Sequence, residues 1–217
     1  MVIPGLPHHV TQRGNRRQRT FFSDRDYKTY LQLMGQACRA FGVEIWAYCL
    51  MPNHIHLLVV PQTEIALAKA IGHGHEAYTR YFNFKNKWRG YLWQGRFSSF
   101  PVDDAHLLLA ARYIELNPVK AKLVDRPEDY TWSSARAHLF LSKDTFINSP
   151  ALLRHIPEWK RFLEEEITKI HVDLLEKHER SGRPLGTVTF LRHLEKIKGI
   201  PLVPKKPGPK PKNESAI

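Results

Sequence analysis

The chain has 217 residues, 42% of them hydrophobic and 25% charged, a globular composition with room for one ordinary domain plus an appendage, or for two small ones. Thirty-three lysines and arginines against 21 acidic residues leave a net charge of +12 and a pI near 9.8, and setting aside Lys205, Lys206, Lys210 and Lys212 of the tail still leaves about +8, so an extended polyanion, nucleic acid by default, is the expected partner. No apolar run approaches the ~18 to 20 residues of a membrane span, and Leu57 to Val60 has a strand's length, which argues against a membrane role.

In chain order, Met1 to Pro7 lacks the basic start and the cleavage site of a secretory signal, so a cytoplasmic location is expected. His8 to Arg13 alternates weakly and ends in the turn Gly14-Asn15, a first strand. Ser23 with Asp26 makes a capping box, and Phe22 with Tyr27 a hydrophobic staple. The helix they open repeats Tyr27, Tyr30, Leu31, Met34, Cys38 and Phe41 at three and four, and Gly42 stands at its end. Val43 to Leu50 and His54 to Val60 read as a hairpin around Met51-Pro52-Asn53.

Ile65 to about Phe84 is helical, with Gly72 and Gly74 weakening its middle, and Tyr91 to Val102 is a further strand. Asp103 caps a helix to Asn117, which Pro118 should stop. The order predicts an α+β fold, an antiparallel sheet with helices on one side. Beyond about Ser149, Pro150 suits a first helical position, Glu158 to about Lys177 is a charged amphipathic helix, Ser181 to Gly186 a turn and Thr187 to Lys198 a second helix. Three regions are expected: 1–148, a helical accessory or DNA-binding part at 149–200, and a basic Pro/Lys-rich disordered tail at 201–217. Cys38 and Cys49 lack zinc-ligand spacing and read as core.

His54-Ile55-His56 lies in a strand, so both imidazoles share a face and make half a metal site. Alone, such a pair is more often a solvated or hydrogen-bonded one. Tyr113 and Asn117, four apart, are adjacent on one helical face. An amide oxygen can ligate a hard cation, and a phenol can act as a nucleophile. A lone tyrosine at this spacing is also a normal core residue, so the argument is the conjunction with the histidines and the basic body.

The stretches His9-Val-Thr-Gln-Arg-Gly-Asn15, Met51-Pro-Asn-His-Ile-His-Leu-Leu58, Leu92-Trp-Gln-Gly-Arg-Phe97 and Arg112-Tyr-Ile-Glu-Leu-Asn-Pro118, then Trp132-Ser-Ser-Ala135, together resemble the REP-associated tyrosine transposases over roughly residues 1 to 140. The resemblance implies a single-tyrosine HUH nuclease on a ferredoxin-like sheet. It makes His54 and His56 the HUH histidines and Tyr113 the nucleophile, acting with Mg²⁺ or Mn²⁺ on single-stranded and hairpin DNA through a 5′-phosphotyrosine. Related insertion-sequence transposases carry Gln four residues after the tyrosine as third ligand, where this chain has Asn117. The alternative is a binding module on the same fold that does not cut. No small-molecule substrate is expected, and the chain is read as a monomer or homodimer.

Two basic stretches are candidate DNA contacts. Arg13, Asn15, Arg16, Arg17 and Arg19 surround a turn whose amides can bind phosphate. Lys85, Lys87, Trp88, Arg89 and Arg96 interleave cations with rings, joined by Tyr81, Tyr91 and Trp93. Trp93 and Phe97 are read first as core. Histidines 73 and 75 diverge on a helix and are rejected as ligands, and His9-Val10-Thr11 lacks the second His-x-Thr of a two-histidine phosphoesterase. The tail Pro207-Gly208-Pro209-Lys210 is read as a salt-sensitive DNA tether or a solubilising end.

Overall fold

The computed structural model describes residues 1–147, 151–156 and 158–204; the expected helix start at Pro150 and the lysine-bearing tail lie outside them. Four strands, β1 (His8–Arg13), β2 (Val43–Met51), β3 (His54–Pro61) and β4 (Ser98–Pro101), form one antiparallel sheet in the order β2-β3-β1-β4. With helix α1 (Asp24–Ala40) between β1 and β2 and helix α2 (Ala66–Asn86) between β3 and β4, this is the βαββαβ ferredoxin-like arrangement, β1 and β3 central.

Alternation along the strands gives the sheet two apolar faces. Val10, Leu50, Ile55, Leu57 and Val59 pack under α1 and α2. Ala47, Cys49, Met51, Leu58 and Phe100 pack under helix α3 (Asp104–Lys120). Helices therefore cover both sides of the sheet and not one, because the chain leaving β4 returns over the second face.

The capping box at Ser23 is formed, with the Asp26 carboxylate accepting from the amides of Phe22 and Ser23 at 3.0 Å each. The staple partner is different: Phe21 is buried and stacks on Tyr27 with centroids 4.4 Å apart, while Phe22 turns outward onto Phe82 and Trp88. Helix α2 runs straight through its glycines. Gly74 is where α1 and α2 come closest, since a Cβ there would lie 2.6 Å from Met34 Cε.

Only the last part of the expected strand 91–102 pairs as β4. Gly95 adopts positive φ, which breaks the pleat, and Leu92 and Trp93 insert into the core instead of extending a ladder. A single bridge, Gly14 to Trp93, ties this segment to the end of β1. Helix α3 also outlasts expectation. It is capped by Asp103, whose carboxylate accepts from the His106 amide at 3.0 Å, and it passes Pro118, because the turn closes on the Ala121 amide to Asn117 oxygen bond at 2.9 Å. A proline lacks only its own donor, and here the rest of the last turn is bonded.

The predicted helix 158–177 is two: α6 (Trp159–Glu164) and α7 (Lys169–Ser181), separated where Thr168 caps α7. The sequence did not announce α4 (Ala135–Phe140); α5 (Ala151–His155) begins beside the expected helix start at Pro150, and the expected helix 187–198 is α8 (Val188–Lys198), capped by Thr187. Trp159, Phe162 and Leu175 of α6 and α7 share one core with Leu107 and Ile114 of α3. Glu115, fully buried, locks this packing. Its carboxyl oxygens accept from Trp159 Nε1 at 2.8 Å, meet His138 Nδ1 at 2.6 Å and take a hydrogen bond from Ser134 Oγ at 2.5 Å.

Candidate active site

The face of β3 under α3 carries His54 and His56, ring centroids 5.0 Å apart. Register places Thr11 of β1 opposite His56, and His9, on the same face of β1, reaches His56 diagonally. Its Nε2 is 3.0 Å from His56 Nδ1. Helix α3 lies across this face, so that the ring of Tyr113 stands 5.6 Å from that of His56 and 6.1 Å from that of His9. One helical turn on, Asn117 Nδ2 donates to the Tyr113 carbonyl at 3.1 Å. Arg13, His54, His56, Tyr113, Asn117 and Lys120 line one cavity of about 580 Å³, all within a single chain.

Burial keeps the imidazoles neutral. It pushes His54 down to about 4, with the Arg13 charge adding to the effect, takes His9 to about 3, and holds His56 well below the ordinary histidine range, where His54 and His9 reinforce it. His54 Nδ1 is 2.6 Å from Asn53 Oδ1 and His56 Nδ1 is taken by His9. In the tautomers with a proton on each Nδ1, both Nε2 lone pairs are left for a ligand, the arrangement that outer partners impose on metal-binding histidines. Among the described residues no group of three or more His, Cys, Asp or Glu is placed to hold a metal. Asn117, which lines the same cavity, carries an amide oxygen of a type able to ligate a hard cation.

Tyr113 is 6% exposed, and burial pushes its phenol up to about 12, helped by the carboxylates of Glu179 and Glu176 and opposed by Asn117 and Arg13. Those two glutamates come from α7 and line the cavity with Arg180. Burial raises the Glu179 carboxyl above its usual range, against the Thr11 hydroxyl and Arg13, which stabilise its anion.

A profile described as IS200-like transposase matches residues 4–117, just over half of the chain. The chain belongs to the IS200-like transposase family. A REP-associated tyrosine transposase of Haemophilus influenzae is 32% identical over 110 residues, which cover 46% of this chain and 62% of that protein, so the chain spans under two thirds of that relative's length. The solved structure of a REP-associated tyrosine transposase bound to a REP hairpin superposes with a TM-score of 0.53 at 19% identity, covering 69% of this chain and 88% of that one. At that identity it shows the fold. The resemblance read from the four motifs holds, and so does the ferredoxin-like sheet.

Within this chain, the other predicted contacts are dispersed. Arg13 and Arg17 line the cavity, and Arg16 and Arg17 both take left-handed backbone angles in the turn after β1. The Asn15 amide is used by the Leu92 carbonyl at 2.8 Å. Arg96 lines a second, smaller polar cavity that shares Arg13, His54 and Glu179 with the first. Arg19 donates to the Phe21 carbonyl, and Lys85 is paired with Asp26 at 2.6 Å, so part of their charge is spent within the fold. Lys87 and Arg89 are exposed. Trp88 is 48% and Tyr91 89% exposed, whereas Trp93 is core, stacked on His75.

His75 reaches Tyr30 Oη at 3.1 Å and His73 packs on Phe41, so this second pair does diverge. Both cysteines are buried and free. Among the described residues no helix is long and apolar enough to cross a membrane. Sequence reasoning missed His9, Gln94, Lys120, Glu176, Glu179 and Arg180 as cavity residues or supports. His9 shares its strand face with Thr11 and Arg13, a readable signal. Nothing in the sequence tells that α7 folds back over this site.

Proposed function

We propose that this transposase cuts and rejoins single-stranded DNA beside hairpins through a covalent bond to Tyr113. The observation that carries the reading is the meeting of the Tyr113 ring with the His54 and His56 rings in one basic-rimmed cavity large enough for a phosphodiester. The Tyr113 oxygen attacks phosphorus, the bond to the 3′ oxygen breaks, and the phenolic proton ends on that oxygen. The products are a 5′-phosphotyrosine and a free 3′-hydroxyl, and the retained ester permits rejoining without ATP.

His54 and His56, with Asn117, are the residues that would hold a divalent cation, Mg²⁺ or Mn²⁺ by preference for an amide oxygen and a phosphate. When bound, such an ion polarises a phosphoryl group and neutralises charge as it develops. The chain's own contribution is positional. Arg13 and Lys120 place positive charge at the cavity, and burial, with Glu179 and Glu176, pushes the Tyr113 phenol up to about 12, so attack needs an acceptor for its proton. Arg16, Arg17 and Arg96 extend the basic rim, and Trp88 and Tyr91 offer rings for unstacked bases. The solved relative carries a REP hairpin, which makes palindromic hairpin DNA the first substrate to try.

The test incubates the protein with a labelled hairpin bearing single-stranded flanks and Mn²⁺ or Mg²⁺, then resolves denaturation-resistant adducts. Wild type is expected to form one and Tyr113→Phe none. Equal adduct in Tyr113→Phe, or none from wild type alongside normal hairpin binding, replaces the catalytic reading with that of a DNA-binding module.

A further inference from the structure

Tyr113 lines two cavities. Besides the polar one, it walls a recess of about 460 Å³ between α3 and α7 whose sides are Leu116, Val119, Ile167 and Val172. Lys120 belongs to both, its Nζ 5.2 Å from the centroid of the Tyr113 ring. The apolar recess therefore shares the walls Tyr113 and Lys120 with the cavity where the reading above puts the reacting phosphate.

A phosphodiester held at the Tyr113 oxygen brings a nucleoside on each side within one nucleotide of this ring. In a site this confined a neighbouring base cannot keep its stack, and an unstacked base needs apolar or aromatic surface in compensation. The recess supplies that surface, and its volume falls in the range of small-ligand sites. Its polar groups are few. Lys120 and Lys169 are cations suited to the flanking phosphates, and Asp173, at the exposed edge, offers a carboxylate that only accepts hydrogen bonds. Cytosine, adenine and guanine present an exocyclic amino donor to such a group. The one N–H on the pairing edge of thymine lies between two carbonyl oxygens, which repel a carboxylate.

We propose that the recess between α3 and α7 receives one unstacked nucleobase bearing an exocyclic amino group, that of a nucleotide adjoining the phosphodiester held at Tyr113. It rests on the reading that Tyr113 engages DNA, and it adds a base-selecting pocket made in part by helix α7. Val172 and Asp173 then act on which base is accepted and leave the His54 and His56 pair untouched.

The experiment uses the Tyr113→Phe protein, which keeps the ring wall but cannot form a tyrosyl ester. It is mixed with a hairpin carrying single-stranded flanks in which 2-aminopurine replaces each flank base in turn. One flank position is expected to change its emission severalfold on binding. Adding Val172→Phe, which fills the recess, abolishes that change while the hairpin stays bound. In competition binding, Asp173→Ala lowers the preference for an amino-bearing base over thymine at that position by about tenfold. The proposal is overturned if no flank position responds, if the response survives Val172→Phe, or if Asp173→Ala leaves the preference intact. Because binding is read without cutting, these outcomes are separate from adduct formation by wild type, which judges the catalytic reading.

Discussion

His9 Nε2 sits 3.0 Å from His56 Nδ1, so a histidine outside the His-x-His motif orients one inside it. His9 is fully buried among the rings of Phe100, His56 and Tyr113, and its own Nδ1 has no hydrogen-bond partner among the described residues. An unpaired buried nitrogen costs stability, which fits a side chain kept to serve its neighbour. His9→Ala is expected to weaken Mn²⁺ binding about 10- to 100-fold, the usual cost of losing an outer partner of a metal-bound histidine. His9→Gln, which keeps an acceptor, should lose less. Titration calorimetry on the folded variants measures both, and unchanged affinity in His9→Ala would remove His9 from the site.

Buried histidines make the fold acid-sensitive. Burial holds His8 and His54 near 4 and His9 and His75 near 3, all below their ordinary 6.5. Below pH 6.5 the unfolded chain takes up protons that the folded one refuses, so stability is full above that pH and falls as pH drops toward the folded values. Each such group contributes on the order of 1.4 kcal/mol per pH unit across that window. Thermal unfolding followed from pH 7 to pH 4 should show a steep fall in Tm, shallower in His75→Phe. A flat profile would contradict this account of the core.

The two glycines of α2 should respond oppositely to the same change. Gly72 faces open space, and Gly72→Ala is expected to stabilise by about 0.5–1 kcal/mol through helix propensity. Gly74→Ala puts a Cβ 2.6 Å from Met34 Cε and 3.3 Å from Met34 Cα, against a side chain with no room to retreat. It is expected to destabilise by about 1–3 kcal/mol. Urea denaturation of both variants decides it, and equal effects would mean that α1 and α2 do not approach so closely.

Glu115 lies two residues from Tyr113 and holds α3 to α4 and α6 through Ser134, His138 and Trp159. Glu115→Ala strands the buried His138 and Trp159 nitrogens, leaves Ser134 Oγ only its Tyr48 carbonyl partner, and should cost about 3 kcal/mol or more. Glu115→Gln, which keeps acceptor capacity, should cost less and retain hairpin binding. Chemical denaturation gives the size, and near-wild-type stability in Glu115→Ala would show the network to be dispensable.

Much of the frame was legible in the residues themselves. The capping box at Ser23, the hairpin at Pro52, the Asp103 cap and the four motifs are local signals, decided by backbone preferences and spacing within a few residues. Period two was enough to set His54 and His56 on one face, and a spacing of four to align Tyr113 with Asn117. Failures of the same reading were equally local in origin. The positive-φ Gly95 cut short the strand expected from aromatic content, and Pro118 failed to end α3 because the remaining bonds of its turn were kept.

The sequence by itself determined which side chains of β3 and α3 point together and that the body carries enough positive charge for a polyanion. Only the tertiary structure decided that these two faces meet, that His9 supports His56 across the β1 to β3 register, and that α7 brings Glu176, Glu179, Val172 and Asp173 to Tyr113. The reason is physical. Periodicity fixes direction within one element, while contact between elements distant in the chain depends on how buried surfaces match, and no short stretch of sequence carries that information.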